Sequence, residues 1–540
     1  MSEVGTHGPQ NRSAAGGHNP WLIALVVSIA TFMLVLDTSI ANVALLNIAG
    51  DLAAGVEEAT WIITTYLVAN AIVIPISGWL ANVIGRKRYY MSCVAIFTIS
   101  SFLCGIAWNL QSLIFFRILQ GLGGGGMAPS EQSILADTFP PNKRAQAFAL
   151  YGIAVIIAPT VGPTLGGWII DHYSWHWIFF INVPFGVLSL SLVQWLVVEP
   201  EVLVRERRER LRHGLKIDRI GLLLVVSALG CLEFVLDRGQ QDDWFSSKLI
   251  LGMALVSGLS FLALLPWEYT RADPIVDVRL LFQRQFGTSF AIMLAVGAVL
   301  FGSTQILPQL MQTGFYYTAY LAGLALMPGG LAMLMMMPMA GAVANWIQPK
   351  YLIALGMAVI ALAMWHMTSL APEATFGFFA WARIYQMIGL PFLFVPINTA
   401  AYADLAPART NQASALINVS RNLGGSIGIS LANTEIAQQT QIAHSNLITY
   451  VIPTSPAYHA TTQRVTAYFS AHGEPVMQAQ HLALSWIAQA IAQQATLLAY
   501  IDVFWMAACF AAFMVPLALI LLRSIDLNAI SSLQHAGELD

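Results

Sequence analysis

The chain has 540 residues, of which 57% are hydrophobic and 10% are charged. Soluble domains carry roughly 25% charged residues, so this composition excludes an ordinary water-exposed surface and indicates a polytopic membrane protein. The formal net charge of −3 gives no support for nucleic-acid binding. All four cysteines lie in apolar segments without metal-ligand spacing, so we interpret them as packing residues. No cofactor and no metal are expected.

Fourteen apolar segments are long enough to cross a bilayer, which takes about 20 apolar residues. They are predicted to be helices, because a chain in lipid must satisfy its own backbone hydrogen bonds. The polar first 20 residues lack a convincing cleavage site, so the first span is predicted to be retained. The predicted spans begin near Trp21, Trp61, Tyr90, Leu110, Ala147, Trp177, Ile220, Lys248, Gly287, Ala319, Tyr351, Gly377, Asn411 and Leu497.

Lysine and arginine are distributed unequally between the two sides of these spans. With the N-terminus in the cytoplasm, about 19 of the 25 Lys and Arg residues fall on the cytoplasmic side. Both termini are therefore predicted to be cytoplasmic. The densest run, RERRERLRHGLK (205–216), is interpreted as a solvated linker that helps to set topology, and contact with lipid headgroups is secondary.

The segment between the last two spans, residues 437–496, is predicted to lie outside the membrane. It is rich in Gln, Ala, His and Thr, and its part HLALSWIAQAIAQQATLLAY (481–500) has a helical periodicity that runs into the last span. A docking surface and a solvated cap explain this segment equally well.

Two pairs of short segments recur in register along the chain. PISGWLANVIGRK (75–87) matches PMAGAVANWIQPK (338–350), and RILQGLG (117–123) matches RIYQMIG (383–389). A duplication is therefore predicted, in which spans 1–6 correspond to spans 9–14 and spans 7 and 8 are inserted. Parallel repeats of this kind are typical of transporters with a substrate site near the membrane midplane.

The repeat predicts the following division of the chain. We expect a cytoplasmic tail (1–20), a first six-helix bundle (21–198), a basic cytoplasmic linker (199–218), two inserted helices (219–268), a second six-helix bundle (287–523) that includes the outer segment 437–496, and a second cytoplasmic tail (524–540).

The fifth span, AVIIAPTVGPTLGGWII (154–170), contains residues that break soluble helices. Small residues let helix backbones approach closely in lipid, and proline bends a helix. A kinked helix is predicted, with a smooth face on which a neighbour rocks; a rigid packing seam is the alternative. The two adjacent ridges are Ala158, Gly162 and Gly166, and Pro159, Pro163 and Gly167. GLGGGG (121–126) predicts a second weak point, in span four, and it lacks the Lys-Ser/Thr of a phosphate-binding loop.

Several motifs together resemble the fourteen-helix drug/proton antiporter branch of the major facilitator superfamily. GPTLGG (162–167) resembles the antiporter motif, GWLANVIGRK (78–87) the signature loop, RILQGLG (117–123) the fourth-helix motif and LDTSIANVAL (36–45) the first-helix motif. WIFFINVPFG (177–186), LDRGQQDDWFSS (236–247) and PIVDVRLL (274–281) are most similar to the inner-membrane subunit of a tripartite exporter.

The resemblance implies an all-α polytopic membrane protein with two six-helix bundles and two inserted helices. It implies proton-driven efflux of amphipathic, hydrophobic compounds across a bacterial inner membrane, with a periplasmic adaptor protein and an outer-membrane channel as partners. A dedicated exporter of one metabolite, siderophore or toxin is the alternative, because fold-level likeness does not separate the two. A non-transporting sensor or scaffold is more remote, and no catalytic set indicates an enzyme.

The signature loop, carried by Gly78, Asn82, Gly85, Arg86 and Lys87, departs from the family pattern. The family usually has Asp where this chain has Asn82, so position 82 offers no charge to pair with Arg86. A purely structural latch is therefore favoured over a charge relay. In the first-helix motif, Leu46 replaces the usual Pro.

Charges inside predicted spans point to coupling sites, because each costs roughly 2.5–3.5 kcal/mol at a helix centre. Asp37 is predicted to take part in proton or substrate coupling, with a structural ion pair as the alternative, and Arg117 is predicted to act as its positive neighbour. Glu131 is a second proton candidate, with a helix cap at a loop edge as the alternative. Glu233, in the inserted pair, is a third. Arg383 and Arg421 are further charges within spans.

Two other features of the second half are interpreted conservatively. His366 is predicted to be a packed interfacial histidine and not a proton carrier. MLMMMPM (333–339) suits a promiscuous apolar site because methionine is adaptable, but a core or lipid-facing stretch is favoured.

Overall fold

The computed structural model describes residues 19–199, 204–205, 207–208, 218–271, 274–344, 346–402, 405 and 409–522. The predicted tail 524–540, almost all of the tail 1–20 and most of the basic run 205–216 therefore lie outside the described residues. Within the described residues the regular structure is entirely helical.

The first half of the chain forms nine helices that pack through small residues. In GLGGGG (121–126) the chain breaks between two helices, as the glycines predict, and a Cβ on Gly125 would lie 2.6 Å from the Asn70 carbonyl oxygen. The helices are α1 (Pro20–Asp51), α2 (Val56–Ala59), α3 (Trp61–Ile84), α4 (Arg86–Gly105), α5 (Leu110–Gly124), α6 (Met127–Thr138), α7 (Pro141–His172), α8 (Trp177–Phe180) and α9 (Asn182–Leu196).

The remainder of the chain forms ten further α-helices among the described residues from Arg219 onward. They are α10 (Arg219–Arg238), α11 (Lys248–Thr270), α12 (Arg284–Gly314), α13 (Ala319–Val343), α14 (Pro349–Met367), α15 (Phe376–Gly389), α16 (Pro391–Tyr402), α17 (Thr410–Tyr450), α18 (Pro456–Ala471) and α19 (Val476–Leu521).

The helices confirm a polytopic membrane protein. Among the described residues, 10 helices are long and apolar enough to cross a membrane, or up to 11 if the bent α7 is included. The three other predicted spans also form helices: α4, which starts with three basic residues; α5 with α6, which are separate helices; and α17, which is rich in polar residues. The number fourteen stays a prediction.

The helices pack as two groups that meet along a shared interface. In the first group α1 packs on α7, and α3 and α4 pack on α5; in the second, α12 packs on α17 and α14 on α19. The two groups meet where α7 contacts α13, where α3 contacts α17 and where α6 contacts α17. The inserted helix α10 packs on α3 and also contacts α17.

The two groups are closed against each other at one end, where α3 passes into α4 (residues 84–88), which we call the basic end. Every residue of α17 from Thr410 to Asn418 is buried, whereas residues 433–442 are half-buried or exposed. The inner helices α6 and α16 are buried almost throughout. The structure is therefore tightly packed from the basic end inward and looser toward the other end.

Two very long helices extend beyond the other end. At 1.5 Å per residue, α17 and α19 are roughly 60 and 70 Å long, about twice the 30 Å hydrocarbon core of a bilayer. The outer segment 437–496 is thus mostly helical: α17 continues to Tyr450, α18 packs on α19, and α19 begins at Val476. The last span was predicted to begin near Leu497, which is 21 residues after the start of α19. The first part of α19 contains polar residues, so hydropathy does not mark where the helix begins.

Candidate functional site

Asp37 lies in a fully buried polar cluster to which four helices contribute. Its Oδ2 forms an ion pair with Nη1 of Arg117 on α5, at 2.7 Å. Its Oδ1 accepts hydrogen bonds from Gln120 Nε2 at 2.9 Å and from Asn182 Nδ2 of α9 at 2.8 Å. Both amides also donate to Ser101 Oγ on α4. Both carboxylate oxygens are satisfied, which is how a buried anion is stabilised.

Arg117 links this cluster to α3. Its Nε donates to the carbonyl oxygen of Ile62 at 3.2 Å, and its guanidinium carbon lies 4.3 Å from the centre of the Tyr66 ring. Such a cation–π contact adds to the stabilisation of a buried arginine. The structure thus brings together Asp37 and Arg117, in the geometry of the ion-pair alternative; proton coupling at Asp37 stays a prediction.

Glu131 is buried in a different environment, on α6 against α1. Thr31 Oγ1 donates a hydrogen bond to its Oε2, and Ser28 of α1 is a second hydroxyl beside the carboxyl group. No ion pair joins it to a basic residue in the described ranges. Arg421 of α17 acts on this carboxyl only at a longer range than an ion pair, so the contacts of Glu131 are sparser than those of Asp37. Because Glu131 lies inside α6 and not at its end, the helix-cap alternative is wrong.

Gln132, the neighbour of Glu131, accepts hydrogen bonds from the second group of helices. Its Oε1 faces Asn418 Nδ2 at 2.8 Å, Ser414 Oγ at 3.3 Å and the hydroxyl of Tyr402 at 3.4 Å. One amide oxygen of α6 therefore receives donors from both α16 and α17. The proton candidate and this inter-group contact are adjacent on the same helix.

Arg421 extends these contacts to α7. Its Nη1 donates to the Tyr151 hydroxyl at 2.8 Å, and its Nη2 donates to Asn418 Oδ1 at 2.8 Å. Arg421 thus joins the two groups of helices about three turns from the start of α17.

The signature loop makes the corresponding contact at the basic end. Asn411 Nδ2 on α17 donates a hydrogen bond to Asn82 Oδ1, and a Cβ on Gly78 would lie 2.9 Å from the Asn411 carbonyl oxygen. The position that carries a charge in the family therefore makes a neutral amide pair here. We call the contacts of Asn82, Gln132 and Tyr151 with Asn411, Asn418 and Arg421 the closed seam.

The charged residues of the loop bond within the first group of helices. Arg86 forms an ion pair with Asp137 of α6, and its backbone N–H donates to Glu199 Oε1 at 2.8 Å. Lys87 Nζ donates to the carbonyl oxygen of Gln194 at 2.7 Å. Gly85 joins α3 to α4 with φ +103°, a left-handed conformation that favours glycine.

Glu199 also connects the linker to this loop. Its Oε2 pairs with Arg207 Nη1 at 3.0 Å, and Arg207 Nη1 also donates to the carbonyl oxygen of Ile84 at 3.1 Å. The described part of the linker therefore packs against the turn between α3 and α4.

The antiporter motif packs on two partners. On one ridge, Ala158 is buried, a Cβ on Gly162 would collide with Ser39 Oγ of α1, and one on Gly166 would lie 2.9 Å from Ile40 Cγ2. Gly167, on the other ridge, has nothing within 4 Å of a Cβ.

The other partner of α7 is α13, in the second group of helices. Thr164 lies where a Cβ on Gly323 of α13 would be placed, so the two helices approach closely. The helix bends by 41° between Pro159 and Val161, and Pro163 lies in the segment after the bend. The bent helix thus contacts α1 on one side and the opposite group on the other.

Glu233 places the inserted helix α10 between the two groups. Its Oε1 accepts a hydrogen bond from Ser426 Oγ of α17 at 2.6 Å. One turn further on, Asp237 accepts a hydrogen bond from Thr64 of α3. Glu233 is more than two helical turns of α10 from the basic linker and does not join the Asp37 cluster.

His366 and the methionine stretch occupy ordinary packing positions. The His366 ring lies 4.7 Å from the Phe378 ring and 5.5 Å from the Tyr385 ring, between centroids. Met333 and Met337 are fully buried and Met335 is 75% exposed, so the stretch faces both the core and the surface.

Several polar partners escape sequence reasoning. Gln120 was within a recognised motif, but Asn182, Asp137 and Gln132 carry no motif of their own. Each lies far along the chain from the residue it contacts, and only the spacing of Gln120 from Arg117, one helical turn, signals a shared face.

Two groups of membrane helices that meet along a polar seam are the architecture of a membrane transporter. The family model described as Major Facilitator Superfamily matches residues 27–429, and the chain belongs to this superfamily.

Curated relatives cover most of the chain. It is 37% identical over 488 residues to the multidrug export protein EmrB of Escherichia coli K12, covering 90% of this chain and 92% of that one. It is 36% identical over 488 residues to EmrB of Haemophilus influenzae, with the same coverage. It is 35% identical over 452 residues to the fatty acid resistance protein FarB of Neisseria gonorrhoeae, covering 84% of this chain and 87% of that one.

Solved structures share the fold. The proton:xylose symporter XylE, bound to 6-bromo-6-deoxy-D-glucose, superimposes with a TM-score of 0.59 at 13% identity, covering 95% of this chain and 98% of that one. The human organic anion transporter MFSD10 gives a TM-score of 0.55 at 12% identity, with coverage of 92% and 100%. At these identities the likeness concerns the fold alone.

Proposed function

We propose that the chain exports amphipathic, mostly hydrophobic compounds across a bacterial inner membrane in exchange for protons. Membership of the superfamily makes it a transporter, and relatives that cover most of its length are named for multidrug export and for fatty acid resistance. Export by alternating access requires two groups of helices that separate at one end while they close at the other.

The observation that carries the proposal is the adjacency of Glu131 and Gln132 on α6. Glu131 is a buried acid without an ion-pair partner among the described basic residues, and Gln132 holds three donors from the opposite group. A proton that enters or leaves Glu131 changes the charge of the helix that carries the closed seam. Proton binding and opening of the closed seam are thereby linked, because the protein binds the proton with different affinities when the seam is closed and when it is open.

Asp37 and Arg117 have a different role in this proposal. Because both oxygens of Asp37 are satisfied, its contacts with Arg117 and the neighbouring amides fix α1, α3, α4, α5 and α9 to one another. The first group then moves as a unit. Glu233 joins the inserted helix to α17 and follows the relative movement of the groups.

We assign the basic end to the cytoplasm, with both termini on that side, because lysine and arginine concentrate on cytoplasmic loops. The structure is then closed toward the cytoplasm. The long helices α17 and α19 project to the periplasm, where they are available to a periplasmic adaptor protein that leads to an outer-membrane channel. The two inserted helices, α10 and α11, flank two six-helix bundles in this arrangement.

Everted membrane vesicles test the export proposal. An acid-inside gradient is imposed, a panel of amphipathic dyes and drugs is added, and luminal pH is recorded. Several compounds are expected to dissipate the gradient in vesicles that contain the protein and not in vesicles without it. A response to one compound only would support the dedicated exporter, and no response to any would contradict proton-driven export.

A further inference from the structure

The Arg117 cluster has a counterpart in the second half of the chain, built from Ser303 and Thr304 on α12 and Arg383 and Gln386 on α15. Arg383 Nη1 donates to Gln386 Oε1 at 2.7 Å, as Arg117 Nη1 donates to Gln120 Oε1 at 2.8 Å. Gln386 Nε2 donates to Ser303 Oγ, and the two residues are 83 positions apart.

The same 83 positions separate Gln120 from Asp37, whose Oδ1 accepts from Gln120 Nε2. Ser303 is therefore the counterpart of Asp37. The repeat preserves the arginine and the glutamine but replaces the carboxylate with a hydroxyl.

Arg383 is consequently a buried cation with neutral partners. Its relative exposure is 1%, its Nη1 bonds only to Gln386 and to Thr304 Oγ1 at 3.1 Å, and its Nε has no hydrogen-bond partner among the described residues. No carboxylate of the described residues forms an ion pair with it. Burying a charge is costly unless it is paired and hydrogen-bonded, so an anionic partner from outside the chain would stabilise this guanidinium.

Arg383 lies beside an exposed polar face of α12. Thr304, which bonds to the guanidinium, is half-buried, and Gln305 and Gln309 beside it are exposed. Two exposed amides one turn apart within a span are expected to face water rather than lipid tails. On the other side, a Cβ on Gly329 would lie 2.5 Å from Arg383 Cγ, so the aliphatic stem is held by close packing.

We propose that Arg383, together with Thr304, binds the carboxylate of an anionic amphipathic substrate. The substrate carboxylate supplies to Arg383 the negative charge that Asp37 supplies to Arg117, with the Thr304 hydroxyl as a further donor. This inference rests on the proposed export function and names the substrate class. It predicts that charge, and not only apolar bulk, decides which compounds bind.

The test uses the full chain, purified in detergent, and two fluorescent probes that differ only in charge. Pyrenebutanoate carries a carboxylate, and its methyl ester is neutral. The wild type is expected to bind the carboxylate, and Arg383→Gln to bind it about tenfold or more weakly, as expected for loss of a charged hydrogen bond. Binding of the ester is expected to stay unchanged, and Arg383→Lys to retain part of the carboxylate affinity.

Two further variants separate this role from a structural one. Ser303→Asp supplies the missing carboxylate, so it is expected to raise thermal stability while abolishing preference for pyrenebutanoate. Arg238→Gln removes a guanidinium on α10, where Arg238 contacts Thr60 and Asp242, and is the matched control with unchanged binding of both probes.

Each outcome bears on the inference. Equal carboxylate affinity in wild type and Arg383→Gln, equal losses for both probes, or no binding of pyrenebutanoate by the wild type would overturn it. Selective binding of the carboxylate in detergent, without proton-driven flux of any compound in vesicles, would support the anion site and contradict the proposed export function. The two failures are thereby distinguished.

Discussion

Asp37 and Arg117 form an ion pair in which both side chains are excluded from solvent, each with 1% side-chain exposure. Removal of one partner leaves an uncompensated charge in the membrane interior, which typically costs 3–5 kcal/mol, whereas replacing both with apolar residues is often nearly neutral.

Asp37→Asn is therefore expected to lower the thermal unfolding temperature of the purified protein strongly. The double variant Asp37→Leu/Arg117→Leu should recover much of the loss, because no lone charge remains. Thermal unfolding in detergent, followed by intrinsic fluorescence, measures both. An Asp37→Asn protein as stable as the wild type but uncoupled from protons would instead assign Asp37 to the proton path.

Gly162→Ala tests the close approach of α7 and α1. The added methyl group would collide with Ser39, and overpacking of this kind costs typically 1–3 kcal/mol. Drug-driven gradient loss in everted vesicles is expected to fall at least severalfold. Gly167→Ala is the matched control, because its Cβ meets nothing within 4 Å. If both variants lose activity equally, the packing of the Gly162 ridge of α7 on α1 does not explain the motif.

Asn82→Asp tests the neutral latch of the closed seam. A carboxylate at position 82 would accept a charge-assisted hydrogen bond from Asn411 Nδ2, about twice as strong as a neutral one. The closed basic end is therefore expected to be more populated and transport slower. Asn411→Ala, which removes the donor, should have the opposite effect on the population.

Spin labels can measure these populations. In a background without the four native cysteines, labels at Arg88→Cys and Arg409→Cys lie on exposed positions of the two groups near the basic end. Asn82→Asp should narrow their distance distribution toward the short distance, and Asn411→Ala should broaden it toward longer distances. Unchanged distributions in both would show that the amide pair does not control closure.

The projecting helices predict a separation of transport from assembly. A variant in which residues 441–486 are replaced by a short Gly/Ser linker is expected to retain substrate-driven gradient loss in vesicles. It should lose co-purification with the periplasmic adaptor proposed above, because the proposal assigns the segment to the periplasm. Loss of vesicle transport with retained membrane insertion would place a transport role in this segment.

Much of the fold follows from the sequence because hydropathy marks where helices enter lipid. The starts predicted at Trp61, Leu110, Trp177, Lys248 and Ala319 coincide with helix starts in the structure. The start of α19 was not predicted, because polar residues in its first part keep hydropathy from marking where the helix begins. The glycine ridge of α7 was predictable because a spacing of four residues defines one face of a helix.

The contacts of the site were less predictable. Asn82 indicated that Arg86 lacks its usual partner, but Asp137 lies about fifty positions further on and carries no motif. Glu131 was recognised as a buried charge, whereas the contrast between its sparse contacts and the saturated contacts of Asp37 depends on Thr31, Asn182 and Gln120. Such contacts are set by tertiary packing, which a single sequence does not reveal.

The central claim, that Glu131 carries the coupled proton while Asp37 is structural, is tested most directly in proteoliposomes. Purified wild type, Glu131→Gln and Gln132→Ala are compared for two activities, exchange of labelled substrate without a gradient and uphill substrate accumulation driven by a pH gradient. The account predicts that Glu131→Gln keeps exchange and loses uphill transport. Gln132→Ala should change the rate of exchange but keep uphill accumulation driven by the pH gradient. Uphill transport by Glu131→Gln at the wild-type rate would contradict the account.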